Sequence, residues 1–165
     1  MAIRNVLTKE EESLYKKSRA VTKFDGRLHQ LLDDMAETLV ESGGVGLAAP
    51  QVGVLRRVVL VLETNVEEEE DEYIIELINP EIVETAGEEE GPEGCLSVPG
   101  EYGLVTRPTY ARVRAQDRDG EWFEVEGEDL TARCFCHELD HLEGVLFTSK
   151  CSRMLSEDEI RTEKE

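Results

Sequence analysis

Two histidines four residues apart, with a glutamate directly after the first, occur in the stretch CHELDHLEG at residues 136–144. In an α-helix, positions i and i+4 lie on one face, so the imidazoles of His137 and His141 can bind the same metal ion. Glu138 is then placed to act on a water at that ion. The motif therefore predicts a helix that carries two metal ligands, and at least one further ligand must come from elsewhere in the chain.

The third ligand is expected upstream of this motif. The position at which one class of zinc protease has a third histidine is Phe147, and the remaining histidine, His29, lies far upstream beside an apolar helical stripe. Cys95 lies in GPEGCLSVPG, where glycines and prolines predict a tight turn that can approach the helix from a second segment. Cys134, on the same stripe as the two histidines, is the rival. Spacing favours Cys95, because three ligands on two turns of one helix are difficult to arrange tetrahedrally.

Length, charge and the absence of long apolar segments limit the classes of protein that this chain can belong to. It has 165 residues, which fits one domain, and a net charge of −20. Such an acidic surface repels phosphate backbones, so we expect no direct nucleic-acid binding. No segment approaches the roughly 20 apolar residues of a membrane span, and the first residues contain no apolar signal region. We therefore expect a cytoplasmic protein without membrane association, whose cysteines are reduced and, for Cys136 and Cys151, merely buried.

The distribution of apolar residues predicts an α+β fold. Apolar residues recur at helical spacing over residues 25–42, which predicts an amphipathic N-terminal helix, and a second helix should begin near Glu128 and carry the histidine motif. Ser156 and Glu159 form a capping box for a short C-terminal helix. Strands are predicted at residues 57–62, 73–78, 81–85, 110–115 and 121–125.

The segments between these elements are predicted to be loops. Residues 43–53 are too rich in glycine for regular structure, and the acidic runs 67–72 and 88–90 are expected to be solvated. Residues 1–148 are interpreted as a single catalytic domain, and residues 149–165 as a charged C-terminal tail with a short helix.

Three motifs resemble, in order and separation, the signature motifs of peptide deformylases. They are GVGLAAPQ at residues 44–51, EGCLS at residues 93–97 and HELDH at residues 137–141. The similarity extends from about Val21 to Phe147 and leaves out the acidic loop and the tail. It implies antiparallel strands packed around the central helix that carries the histidine motif. It also implies a metal-dependent hydrolase that removes the N-formyl group from the formyl-methionine of newly synthesised proteins and releases formate.

The resemblance also implies a role for individual residues. The metal ligands would be Cys95, His137 and His141. Glu138 would be the general acid and base, while the side-chain amide of Gln51 and the backbone N–H of Leu96 would stabilise the oxyanion. Substrate contacts would come from Gly44, Val45, Gly46, Gly94 and Cys134. Without the resemblance, Gln51 would be interpreted as a loop residue bound to backbone, and the glycines as a tight turn.

The resemblance extends to the metal and the partners. It implies one divalent ion, Fe(II) in the cell, with Zn, Ni or Co in purified protein; one thiolate and two imidazoles suit any of these. The expected partners are N-formyl-methionyl nascent polypeptides, with weak or absent ribosome contact because the chain is so acidic. The alternatives are a metallopeptidase of the HExxH type and a non-catalytic, metal-stabilised domain with a closed four-ligand site.

Overall fold

Eight strands and three α-helices are present in the computed structural model, which describes residues 3–164. The strands are β1 (Gly46–Ala48), β2 (Val58–Glu63), β3 (Tyr73–Ala86), β4 (Glu89–Cys95), β5 (Val98–Arg107), β6 (Tyr110–Gln116), β7 (Trp122–Glu128) and β8 (Arg153–Met154). The helices are α1 (Gly26–Ser42), α2 (Leu130–Leu142) and α3 (Glu157–Lys164). Residues 1, 2 and 165, which the predicted domain and tail include, lie outside the described residues.

The strands form two antiparallel sheets, which confirms the predicted α+β class. The larger sheet has the order β1-β2-β3-β6-β7, and the smaller one the order β4-β5-β8. Successive residues of a strand point to opposite faces. In β2, Val59 and Val61 pack in the same core as α2, whereas Val58 and Leu60 pack in the core that contains α1. The two long helices therefore cover opposite faces of the larger sheet.

Helix α1 confirms the predicted amphipathic helix. The Asp25 side chain accepts a hydrogen bond from the Leu28 backbone N–H at 3.2 Å and so caps the N-terminus. Gly43 ends the helix in the left-handed conformation with φ 71°. Its apolar stripe is buried in one core with strand β2. In the part of the chain that the structure describes, no helix is both long enough and apolar enough to cross a membrane.

One strand, β3, replaces the two predicted at residues 73–78 and 81–85. Asn79 has φ 51°, and the register against β6 shifts after Ile78, so the strand bends at Asn79 and Pro80 and the apolar pattern is interrupted there. The Asn79 side chain bonds the backbone of Val21 and the Gln116 side chain, which stabilises the bend. The strand continues because β2 pairs with its first half and β6 with its second.

The prediction that residues 43–53 lack regular structure is wrong. Gly46–Ala48 pairs with β2 as an edge strand, and Ala49–Val52 forms a 3₁₀ turn. Glycine is required at position 46 because a Cβ there would lie 2.5 Å from Cys134 Sγ and from Glu138 Oε2. The glycines of this motif thus permit a close approach of β1 to α2, in addition to allowing the turn.

The run 88–90 was also predicted to be a loop, but Glu89 and Glu90 begin β4, which pairs with β5. Glycines and prolines concealed this strand; Pro92 is tolerated because β4 lies at the edge of its sheet. The run 67–72, by contrast, connects β2 and β3 and holds only the 3₁₀ turn Glu69–Asp71. The predicted C-terminal capping box is confirmed by reciprocal hydrogen bonds between Ser156 and Glu159.

Candidate metal centre and active site

The helix with the histidine motif lies between the larger sheet and the β4–β5 hairpin. Its apolar residues, among them Phe135 and Leu139, pack in the core against strands β2, β3 and β6. On the side of the hairpin, the Arg133 guanidinium donates to the backbone carbonyls of Val105 and Glu89 at 2.9 and 2.8 Å. Side chains from α2, the hairpin and the Gly46–Val52 segment therefore converge in one place.

Three potential metal ligands meet at this place. The ligand atoms of Cys95, His137 and His141 all lie within 4.8 Å of one another, and Cys95 Sγ is 3.3 Å from His141 Nε2. Cys95 is the last residue of β4, directly before the two-residue turn Leu96–Ser97 that leads into β5. The tight turn predicted at Cys95 is therefore present, and it brings the thiol from a second segment to the helix.

Glu93 fixes the orientation of the first histidine. His137 Nδ1 donates to Glu93 Oε2 at 2.6 Å, which leaves Nε2 of the ring for a metal. Burial alone would raise the pKa of Glu93, but the hydrogen bonds from His137 and Arg107 outweigh it and lower the pKa to about 2. Glu93 is therefore ionised at neutral pH, as a carboxylate that orients a metal-binding imidazole needs to be.

Arg107 connects this carboxylate to the helix. Its guanidinium is buried, binds both oxygens of Glu93 at 3.1 and 2.7 Å, and reaches Asp140 at 2.7 Å. Asp140 is therefore paired with Arg107 rather than solvated alone. Arg133 adds a fourth hydrogen bond to the Glu93 carboxylate, at 3.1 Å. The network locks the β4–β5 hairpin against α2, and so fixes the position of Cys95 relative to the histidines.

Glu138 lies beside the ligands without being one of them. Its carboxylate oxygen Oε2 is 4.0 Å from His137 Nε2, and Oε1 is buried with no hydrogen-bond partner among residues 3–164. Burial raises the pKa of Glu138 to about 7, although the nearby His137 opposes the rise. A buried carboxyl group with a pKa near neutrality can both accept and donate a proton during turnover.

Gln51 is oriented by hydrogen bonds at both ends of its amide. Oε1 accepts from the backbone N–H of Ala48 at 2.9 Å, and Nε2 donates to Ser97 Oγ at 3.1 Å and approaches Cys95 Sγ at 3.5 Å. The side chain is buried. Its amide N–H group therefore lies next to the metal ligands and close to the Leu96–Ser97 turn.

A cleft of about 450 Å³ opens beside these groups. It is lined by most of the residues that the sequence assigned to the site, which are Gly44, Val45, Gly46, Gln51, Gly94, Cys95, Leu96, Cys134, His137 and Glu138. His141 is fully buried behind them. The predicted site residues are therefore brought together around one cavity.

Cys134, the rival third ligand, is not in the ligand cluster. Its thiol donates to the Val45 carbonyl at 3.4 Å, and burial raises its pKa well above the ordinary value of a cysteine. A thiol kept protonated in this way is a poor metal ligand. Among residues 3–164 the cluster holds three ligands and no fourth, so the closed four-ligand site of a structural metal module is not found.

One thiolate and two imidazoles are a suitable donor set for a catalytic divalent ion, because three protein ligands leave a position open. Burial lowers the pKa of His141 well below its usual value, so its imidazole is neutral, the form that binds metals. The residues present therefore fit a metal ion.

Sequence reasoning missed two residues of the site. Glu93 belongs to the EGCLS motif but received no role, and Ser97, which accepts the Gln51 amide, received none either. No local signal identified Glu93, because a tight turn rather than a strand was predicted there and the partners of its carboxylate are distant in the sequence.

Comparison with known proteins gives one consistent result. Residues 3–157 match the sequence model of the family described as polypeptide deformylase. The peptide deformylase of Caldicellulosiruptor bescii is 52% identical over 160 residues, which cover 97% of this chain and 92% of the relative. Peptide deformylase 1 of Bacillus subtilis is 49% identical over 160 residues, which cover 97% of each chain.

Two solved structures are similar over most of their length. The peptide deformylase of Thermotoga maritima superposes with a TM-score of 0.85 at 37% identity, covering 92% of this chain and 99% of the other. A class I type b peptide deformylase of Acinetobacter baumannii, crystallised with Met-Ala-Ser bound, has a TM-score of 0.81 at 35% identity and covers 90% and 98% of the two chains. The similarity thus extends from sequence to fold.

Proposed function

This chain belongs to the polypeptide deformylase family, and from that premise we propose how its own residues carry out the reaction. The reaction itself follows from the family: the enzyme removes the N-formyl group from new polypeptides. The proposal is that Cys95, His137 and His141 hold one divalent ion, and that Glu138 moves the proton. The convergence of the three ligand atoms within 4.8 Å of one another carries this proposal.

Lewis acidity is the chemistry that a divalent ion would supply at these ligands: it polarises a carbonyl and makes water more acidic. Glu138, whose pKa is about 7, accepts the proton that the attacking water loses. The same carboxyl group then donates the proton to the amine that leaves when the C–N bond breaks, so formate and a free N-terminus are released. Glu93 supports this step by keeping the ring of His137 in place.

The oxyanion that forms from the formyl oxygen needs hydrogen-bond donors. We assign this role to the Gln51 side-chain amide and the Leu96 backbone N–H. The orientation of the Gln51 side chain supports the assignment. The hydrogen bond from Ala48 N–H to Gln51 Oε1 identifies the amide oxygen, so the NH₂ group points towards Cys95. A donor that is already oriented costs no reorganisation during the reaction.

The peptide part of the substrate is proposed to add a strand next to β1. β1 is the edge strand of the larger sheet, and Gly44, Val45 and Gly46 line the cleft. An edge strand presents unpaired backbone groups that an extended peptide can bond. Gly94 forms the opposite wall, where a Cβ would lie 2.5 Å from the Tyr102 ring, and Cys134 lines the same cavity. The Acinetobacter structure, which has Met-Ala-Ser bound, supports the proposal that this chain also binds a short methionyl peptide.

Fe(II) is proposed as the metal in the cell, with Zn, Ni or Co able to replace it in purified protein. We expect formate release from formyl-Met-Ala-Ser under anaerobic conditions when iron is supplied, and none after the metal is removed by chelation. Restoring activity with Fe(II), and comparing it with Zn, Ni and Co at equal occupancy, tests the metal assignment. Full activity of protein shown by elemental analysis to be metal-free would contradict the proposal.

We further propose that the enzyme acts in the cytoplasm, where formyl-methionyl chains are synthesised. The catalytic domain is taken as residues 1–148 and the charged tail as residues 149–165; strand β8 of the tail pairs with β5.

Ribosome binding is expected to be weak or absent. The chain has a net charge of −20, and residues 150–165 hold four basic and five acidic residues, so ribosomal RNA should repel it at long range. At physiological salt, screening shortens this repulsion to about 8 Å but does not reverse it. Co-sedimentation with bacterial ribosomes at low and moderate salt measures the contact. Tight binding that weakens as salt rises would contradict the prediction.

A further inference from the structure

A second cleft, of about 830 Å³, lies away from the active site and is lined by several basic side chains. It is formed by the N-terminal segment, the first turn of α1 and the loop before β2. Its basic lining residues are Arg4, Arg19, Lys23, Arg27 and Arg56. The chain has 18 lysines and arginines and 38 acidic residues, yet among residues 3–164 only one acid, Asp25, lines this cleft. The lining of this cleft is therefore mainly basic, whereas the chain as a whole is acidic.

Four of these five cations lack a partner. The Arg4 guanidinium pairs with Asp34 at 2.9 Å. Within residues 3–164, the side chains of Arg19, Lys23, Arg27 and Arg56 make no ion pair and no hydrogen bond, and all four are exposed. Within the described residues, Asp25 forms no ion pair with these four side chains, and its carboxylate caps the N-terminus of α1.

The backbone places two of the arginines side by side. Arg19 and Arg56 form a parallel β-bridge, in which Arg19 N–H donates to the Leu55 carbonyl at 3.0 Å and Arg57 N–H donates to the Arg19 carbonyl at 2.8 Å. Like charges that face each other across strands are destabilising. A negatively charged ligand that contacts both side chains removes this repulsion.

The residue types indicate which anion the cleft suits. Guanidinium groups match the geometry of phosphate oxygens and can bond two of them at once. Among the described residues, no aromatic side chain lines the cleft, so it lacks the rings on which nucleobases commonly stack. Outside the cleft lining the chain holds 37 acidic residues (38 − 1) and 13 lysines and arginines (18 − 5), so a long polyanion would gain less beyond the cleft than a compact anion gains within it.

We propose that this cleft binds a compact anion with two or more phosphate groups on a non-aromatic scaffold. The volume lies within the range of small-ligand sites, about 300–1,000 Å³. Because the ligand would bridge the N-terminal segment, α1 and the loop before β2, it stabilises the folded enzyme by mass action. This inference does not depend on the deformylase activity.

The test uses the full-length, metal-loaded enzyme and fructose 1,6-bisphosphate as probe, with fructose and inorganic phosphate for comparison at constant ionic strength. Isothermal titration calorimetry gives the affinity, and thermal melting gives the stabilisation. We expect saturable binding of the bisphosphate, weaker binding of inorganic phosphate and none of fructose. The double variant R19Q/R56Q should bind the bisphosphate at least about tenfold more weakly, the effect of losing one charge-assisted contact.

The variant R112Q/R114Q is the control for net charge, because it removes two positive charges from strand β6, outside the cleft; both arginines pair with glutamates there, so it is compared in ligand binding and not in melting temperature. It should bind like the unmodified enzyme. Without ligand, R19Q/R56Q should melt at the same temperature as the unmodified enzyme or higher, since a repulsion has been removed.

Three results would overturn the proposal. They are no binding of the bisphosphate, equal binding by the two double variants, and a markedly lower melting temperature of unliganded R19Q/R56Q, which would make the arginines structural. A fourth comparison uses a twelve-nucleotide RNA: if it competes for the cleft as well as the bisphosphate does, the compact-ligand assignment is wrong and the surface is one for polyanions.

Discussion

Replacing Cys95 by serine is expected to remove the metal and nearly abolish deformylation. A neutral hydroxyl replaces the only thiolate of the ligand set, while His137 and His141 remain. Outer-shell partners of metal ligands are worth about 10–100-fold in metal affinity or activity, so loss of a ligand itself should cost more than about 100-fold. Metal content by elemental analysis and formate release from formyl-Met-Ala-Ser measure the two effects separately.

Cys134→Ser is the matched control for this experiment. Cys134 is also a buried cysteine beside the site, but its thiol bonds the Val45 carbonyl and lies outside the ligand cluster. A serine hydroxyl can keep that hydrogen bond, so the variant should retain stoichiometric metal. The reverse pattern, in which Cys134→Ser loses metal and Cys95→Ser keeps it, would show that the ligand assignment is wrong.

Glu138→Gln is expected to separate metal binding from turnover. The substitution keeps the shape of the side chain, and Glu138 is not among the three clustered ligands, so metal content should stay unchanged. Glutamine cannot accept the proton of water, and loss of a general acid–base group typically lowers rates by about 10²–10⁴-fold. The fall should appear in kcat, because no substrate contact has been removed.

A substitution of the nearby carboxylate Glu93 is the control for Glu138→Gln. Glu93→Gln leaves the proton-transfer group in place but weakens the orientation of His137 and the pairing with Arg107. That variant should lose metal affinity as well as activity, unlike Glu138→Gln. If Glu138→Gln retains near-native turnover at full metal occupancy, another group accepts the proton and the proposed mechanism fails.

The sequence by itself determined the chemistry of the site. A His-Glu-x-x-His motif dictates its own geometry, because helical spacing places His137 and His141 on one face whatever the rest of the fold. Both helices with regular apolar spacing, and the strands with alternating apolar residues, were also predictable, since these periods reflect burial of one face. Spacing favoured Cys95 over Cys134 as the third ligand, because a tetrahedral ligand set is difficult to build on one helix, and Cys95 is the cysteine that lies in the cluster.

Other features of the protein depend on contacts between distant residues and could not be predicted from the local sequence pattern. Strands β1, β4 and β5 were not predicted because their glycines and prolines oppose strand structure locally; β1 is a strand because it pairs with β2, and β4 and β5 because they pair with each other. The role of Glu93 depends on three partners, His137, Arg107 and Arg133, which come from distant positions. The basic cleft could not be predicted from the net charge of −20, because charge summed along a chain does not show which side chains share a surface. The backbone bridge between Arg19 and Arg56 is what brings these two positive charges together.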